Sequence, residues 1–117
     1  MLLHSVITDS EIESVAALAA RLHGVPYSSN EDVAVVSKDD PYFLLHSSIM
    51  DLARDAQVEL CALALIGRGD FTEFQFAMDF ADRLGSSEIA GYLTRLGYDL
   101  KSALERGRHR TVEDPAV

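Results

Sequence analysis

Cysteine, tryptophan and proline are nearly missing from this chain: its 117 residues include one Cys, no Trp and three Pro. A single cysteine rules out an intrachain disulfide and a thiolate metal cluster built within one chain. That residue, Cys61, lies in an apolar run with no basic neighbour in sequence to lower its pKa. It therefore reads as a small hydrophobe and not as a nucleophile. Positive charge is also scarce. Ten Lys and Arg stand against 19 Asp and Glu, a net charge of −9, and most of the imbalance falls in residues 1–60. A surface of that sign repels phosphate backbones and anionic lipid, which argues against nucleic acid and membrane as partners; its ordinary role is solubility. Apolar runs are short, and none reaches the roughly 18 residues that a membrane span needs. The first residues, Met1-Leu2-Leu3-His4, carry no basic region, and Asp9, Glu11 and Glu13 follow at once, so a cytoplasmic location is expected.

Patterns that carry chemistry are equally sparse. His4, His23, His46 and His109 are scattered, and none has a second His or a carboxylate at the i,i+3 spacing of helical di-metal sites. Gly67-Arg68-Gly69 lacks both the third glycine and the Lys-Ser/Thr ending of nucleotide-binding loops. Nothing local favours a Ser–His–acid arrangement. The sequence nominates no catalytic residue, no metal ligand and no cofactor.

What the chain does have is an ordinary globular composition, 48% hydrophobic and 25% charged, and enough length to bury a core without staples. Its strongest local signal is Leu60-Cys61-Ala62-Leu63-Ala64-Leu65-Ile66 ahead of Gly67-Arg68-Gly69-Asp70. A helix apolar on nearly all sides must sit among other helices, so this segment predicts an all-α bundle with a buried central helix. Around it the 3.6-residue period predicts five or six helices. The first runs from about Asp9 to His23, opened by a Thr8/Glu11 capping box and closed before Gly24. A second starts at Asp39-Asp40-Pro41 and runs to about Arg54, with Leu45, Ile49, Leu52 and Ala53 inward. The third spans about Ala56 to Ile66, capped by Asp55, and the fourth about Phe71 to Leu84. Ser87 caps a fifth reaching about Leu96, and a sixth covers Tyr98 to Arg106, ending at Gly107. Residues 24–40 form a loop or extended insert in which Val33–Val36 could pair with Leu2–Ile7 as a short N-terminal β-ribbon. The expectation is one helical domain over residues 1–107 and a polar C-terminal tail over 108–117.

Two places stand out as candidate sites. At Gly67–Asp70, Gly67 in the left-handed conformation would close helix three, and Asp70 with Glu73 would cap helix four. That leaves Arg68, a long cation between two glycines. It reads either as a tether to a nearby carboxylate or, with Gly67, Gly69 and Asp70, as part of a small-anion site. The Arg68-Gly69-Asp70 triplet also spells an integrin-recognition tripeptide, a coincidence in a protein expected in the cytoplasm. A helix-turn-helix reading of the same turn fails on charge, since Glu73, Asp79 and Asp82 on the second helix face a single Arg83. The other place is helix four, whose main face is Phe74, Ala77, Met78, Ala81 and Leu84. Phe76 and Phe80 form a second apolar stripe off that face. They either pack under helix five or the 24–40 loop, or anchor an interface.

From Asp51 to Gly107 the chain resembles a small uncharacterised bacterial family, the domain-of-unknown-function family 3775. The likeness rests on Asp55-Ala56-Gln57-Val58-Glu59-Leu60, on Ala62-Leu63-Ala64-Leu65-Ile66-Gly67-Arg68-Gly69-Asp70 followed by Phe71, on Ile89-Ala90-Gly91-Tyr92-Leu93 and on Leu104-Glu105-Arg106-Gly107. The chain departs from the family pattern at Leu65, where a tryptophan would be expected, and at Gly97-Tyr98, where a proline-containing turn is commoner. The resemblance implies a small acidic helical protein, draws attention to the Gly67–Asp70 turn and supplies no reaction. The leading functional expectation is a non-enzymatic cytoplasmic protein acting by association, as a homodimer or with a protein partner, through Phe76 and Phe80. The alternative is a small-anion-binding protein or enzyme with a pocket at Gly67–Asp70.

Overall fold

The computed structural model describes residues 7–24 and 41–113. The expected β-ribbon and the 24–40 insert lie outside those residues except for Ile7 and Gly24. Six α-helices follow one another: α1 Asp9–Ala20, α2 Pro41–Met50, α3 Arg54–Arg68, α4 Phe74–Asp82, α5 Ser86–Leu96 and α6 Asp99–Glu113. No strand occurs among the described residues, and the architecture is an all-α bundle.

The Thr8/Glu11 capping box forms as the sequence predicts. Thr8 Oγ1 accepts from the Glu11 N–H at 3.1 Å and Glu11 Oε1 accepts from the Thr8 N–H at 3.0 Å. Other ends differ from expectation for identifiable reasons. α2 stops at Met50 because Gln57, on the next helix, donates its amide N–H to the carbonyls of Ile49 (2.9 Å) and Met50 (3.3 Å). That buried side chain takes over the role of the next turn. Extended Ala53, exposed instead of inward, then starts α3 without a side-chain cap, so Asp55 is not the cap but a first-turn acid. At α5 the expected Ser87 cap is replaced by Gly85, whose N–H donates to Glu88 Oε1 at 2.8 Å.

All twelve residues from Ala56 to Gly67 are buried, so α3 is the central helix. Its most extensive neighbour is α6, followed by α4 and then α5; α1 packs on α6 and α2, and α2 on α5. Two glycines explain the α3–α6 contact. A Cβ on Gly67 would fall on the carbonyl of Ala103 and 2.9 Å from the Gly107 nitrogen, and a Cβ on Gly107 would fall on the carbonyl of Leu63. The helices cross backbone against backbone, and only glycine permits that approach. This corrects two expectations. Gly67 is not the left-handed terminator of α3: that role belongs to Gly69, at φ 86°, whose N–H bonds the Ile66 carbonyl while the Asp70 N–H bonds that of Leu65. Gly107 does not end α6 either, because Leu100, Ala103, Leu104 and Gly107 form one buried stripe and the helix continues to Glu113. Arg108, expected in a polar tail, instead bonds Asp9 at 3.0 Å and lies 3.9 Å from Glu13, tying α6 to α1.

Candidate functional site

The Gly67–Asp70 segment divides into a buried half and an exposed half. Gly67 is enclosed by α6 and its carbonyl accepts from Arg106 Nε at 2.9 Å. Arg68 is exposed and turns toward α5, where Nη1 donates to the Tyr92 hydroxyl at 3.0 Å and the guanidinium carbon lies 5.9 Å from the ring centroid. Arg68 Nε is 3.6 Å from Asp70 Oδ2. The expected Asp70/Glu73 capping box is absent. α4 begins three residues later than predicted, with extended Glu73 as a cap that makes no side-chain bond, because Asp70 faces Arg68 instead. Burial raises the Tyr92 phenol above its ordinary value, and Arg68 pulls the other way.

Arg68 thus holds the end of α3 to α5 through Tyr92, a residue that sequence reasoning missed because it lies 24 positions along the chain. Arg68 is exposed and Tyr92 only half-buried, so the contact is screened by solvent and its contribution is small. Replacing Arg68 by alanine is expected to change stability by no more than about 1 kcal/mol in a thermal or denaturant melt. A larger loss in the free protein would show that the tether is a main fixture of the fold.

Phe76 and Phe80 come together on the outer face of α4. That helix turns Ala77 and Ala81 onto α3, its main neighbour, and leaves Phe76 56% and Phe80 44% exposed. The Phe71 ring, in the loop before α4, tilts against Phe80 with centroids 5.5 Å apart. At the far end Arg54 Nη2 donates to the carbonyls of Asp82 (3.0 Å) and Leu84 (2.6 Å), satisfying the last turn and fixing α4 on α3. The result is a firmly mounted helix with an aromatic outer surface.

The remaining chemical candidates sit elsewhere. Cys61 is fully buried, and desolvation pushes its thiol up to about 12 despite the opposing charge of Arg54. It stays a neutral thiol at any physiological pH. Glu59, a buried carboxylate at the middle of α3, accepts the Ile7 N–H at 2.8 Å and so pins the segment that leads into α1. An open groove of about 450 Å³ between α1 and α2 is lined by Ser10, Ser14, Ser47 and Ser48 with Leu44 and Leu52, none of them predicted as site residues. Among the described residues no three His, Cys, Asp or Glu side chains gather as a metal site, and no helix is long and apolar enough to cross a membrane.

A family model described as "protein of unknown function (DUF3775)" matches residues 43–107, more than half of the chain, from the first turn of α2 to the glycine crossing of α6. The protein belongs to that family. The matched DUF3775 region contains α3, the Arg68–Tyr92 contact, the whole of α4 and both crossing glycines. Among curated proteins, a 4,4′-diapolycopene oxygenase from a Methylomonas species is 23% identical over an alignment that takes in 74% of this chain and 22% of the oxygenase. The chain therefore spans about a fifth of the length of that relative. No solved structure matches it.

Proposed function

We infer that this DUF3775 protein works by association, in the cytoplasm and without catalysis of its own, with the outer face of α4 as its binding surface. The observation that carries this reading is the exposure of Phe76 and Phe80 side by side on a helix mounted mainly against one neighbour. Aromatic side chains are large, stiff anchors that lose little entropy when buried against a partner, and they dominate binding energy where they cluster. The partner is a second copy or another protein; the net charge of −9 makes nucleic acid and anionic membrane poor fits. The oxygenase activity in the relative's name belongs to a protein of which this chain matches only a fifth, and it supplies no chemistry here.

Native mass spectrometry of the gently purified protein, beside a Phe76→Asp/Phe80→Asp variant, tests the reading. The native chain is expected to run as a dimer or complex and the variant as a folded monomer, with its circular dichroism unchanged. A complex that survives the double substitution would exclude this face. The small-anion alternative at Gly67–Asp70 ranks second, because Arg68 gives one donor to Tyr92 and the Asp70 carboxylate already lies beside it.

A further inference from the structure

The outer face of α4 is apolar along its middle and acidic around it. Phe76 and Phe80 stand one turn apart on the same side of this nine-residue helix, so they form a stripe along its axis. Phe71 adds to the stripe, its ring lying against that of Phe80. Every charged residue inside α4 is an acid: Asp79, three residues after Phe76, and Asp82, two after Phe80. A third acid, Glu73, is the extended cap three residues before Phe76. All three are exposed, and none takes part in an ion pair among the described residues. Asp79 accepts from the neutral amide of Gln75 at 3.0 Å, which leaves its charge uncompensated.

Nearby cations do not cancel these charges. Arg54 donates to the backbone carbonyls of Asp82 and Leu84, and Arg68 turns to Tyr92 with Asp70 beside it. Arg83, exposed just past the end of α4, offsets one acid of the three. The balance chooses between occupants. A second copy laid on this face would bring the same excess of acids to it, and like charges brought together across an interface cost affinity. A partner with Lys or Arg beside its apolar residues meets the opposite sign, is steered to the face, and pairs its cations with acids that have none of their own. The straight aromatic stripe suits a helix, whose side-chain ridges pack along those of another helix.

Resting on the association reading above, we propose that the outer face of α4 docks an amphipathic helix of another protein, its apolar stripe covering Phe76 and Phe80 and its flanking Lys or Arg side chains pairing with Glu73, Asp79 and Asp82. Two synthetic helical peptides test this on the full chain by fluorescence anisotropy. One carries leucines at helical spacing flanked by lysines, and its twin has glutamates in place of the lysines. The lysine peptide is expected to bind at least about tenfold more tightly than its twin. Glu73→Gln/Asp79→Asn is expected to weaken it by about fivefold, whereas Asp51→Asn/Asp99→Asn, which removes the same charge from exposed positions elsewhere, stays within about twofold of the native chain. Phe76→Asp/Phe80→Asp is expected to abolish binding although it adds negative charge, and circular dichroism checks that every variant is folded. No binding of the lysine peptide, equal binding of the twins, or equal losses in the two amide variants would overturn the basic partner. So would binding that survives Phe76→Asp/Phe80→Asp, which is attraction to the chain's net charge alone. The association reading is decided separately by native mass spectrometry. A homodimer lost in Phe76→Asp/Phe80→Asp overturns the basic partner and leaves the face, whereas a complex that survives the substitution removes both.

Discussion

Alanine at Gly67 or Gly107 is expected to destabilise the protein by about 3 kcal/mol or more, a loss at or above the top of the usual range for overpacked cores. The added methyl at Gly67 would occupy the position of the Ala103 carbonyl, and the one at Gly107 that of the Leu63 carbonyl. These obstacles are backbone, which cannot swing aside as a side chain can, so α3 and α6 must separate. Separation loosens the largest helix contact in the molecule. It also breaks the Arg106–Gly67 bond, since Arg106 reaches the Gly67 carbonyl across the same crossing. Glycine costs about 1 kcal/mol relative to alanine inside a helix, so helix propensity alone predicts the opposite sign. Gly91→Ala provides the control. Gly91 lies within α5, and a Cβ there would meet nothing within 4 Å. That variant is expected to gain up to about 1 kcal/mol. In denaturant melts the three substitutions should therefore fall on opposite sides of the native protein. Equal, mild losses at all three would mean that the helices do not cross backbone to backbone.

These glycines also show where the sequence was legible and where it was not. Periodicity is a local signal, and it predicted five or six helices and the buried α3 because each apolar face is written within a few turns. Gly107 was read as a helix stop, since a glycine after a periodic segment is the usual sign of one. The reason for that glycine is Leu63, 44 positions earlier, and no pattern within the helix can announce it. Asp70 misled in a similar way: Asp followed three residues later by Glu matches a capping box, but the carboxylate faced the nearer Arg68. Capping by distant side chains was equally hidden, as with Gln57 at the end of α2 and Arg54 at the end of α4. The Phe76/Phe80 stripe was legible because it is an excess within one helix, more apolar surface than a single neighbour can cover.

Leu60→Ala is expected to cost about 4 kcal/mol, toward the upper end of the range for deleting a buried leucine. Leu60 is fully buried near the middle of α3, the helix that packs on α6, α4 and α5. How much such a deletion costs depends on whether neighbours can collapse into the space. Here α3 cannot shift toward α6, because the two backbones already touch at Gly67 and Gly107. Most of the cavity must stay open, and the loss is that of the transferred side chain plus the unfilled volume. Against a total stability of about 5–15 kcal/mol this is a large fraction, visible as a fall of more than 10 °C in melting temperature. Phe76→Ala, which removes a larger side chain, is expected to cost less than about 1 kcal/mol, because more than half of that ring is already in water. The contrast bears directly on function. A phenylalanine that the fold barely uses is retained surface, available to a partner, whereas a Phe76→Ala loss approaching that of Leu60→Ala would make the ring part of the core. Only in the first case can the Phe76→Asp/Phe80→Asp variant be read as a loss of association and not as a loss of structure.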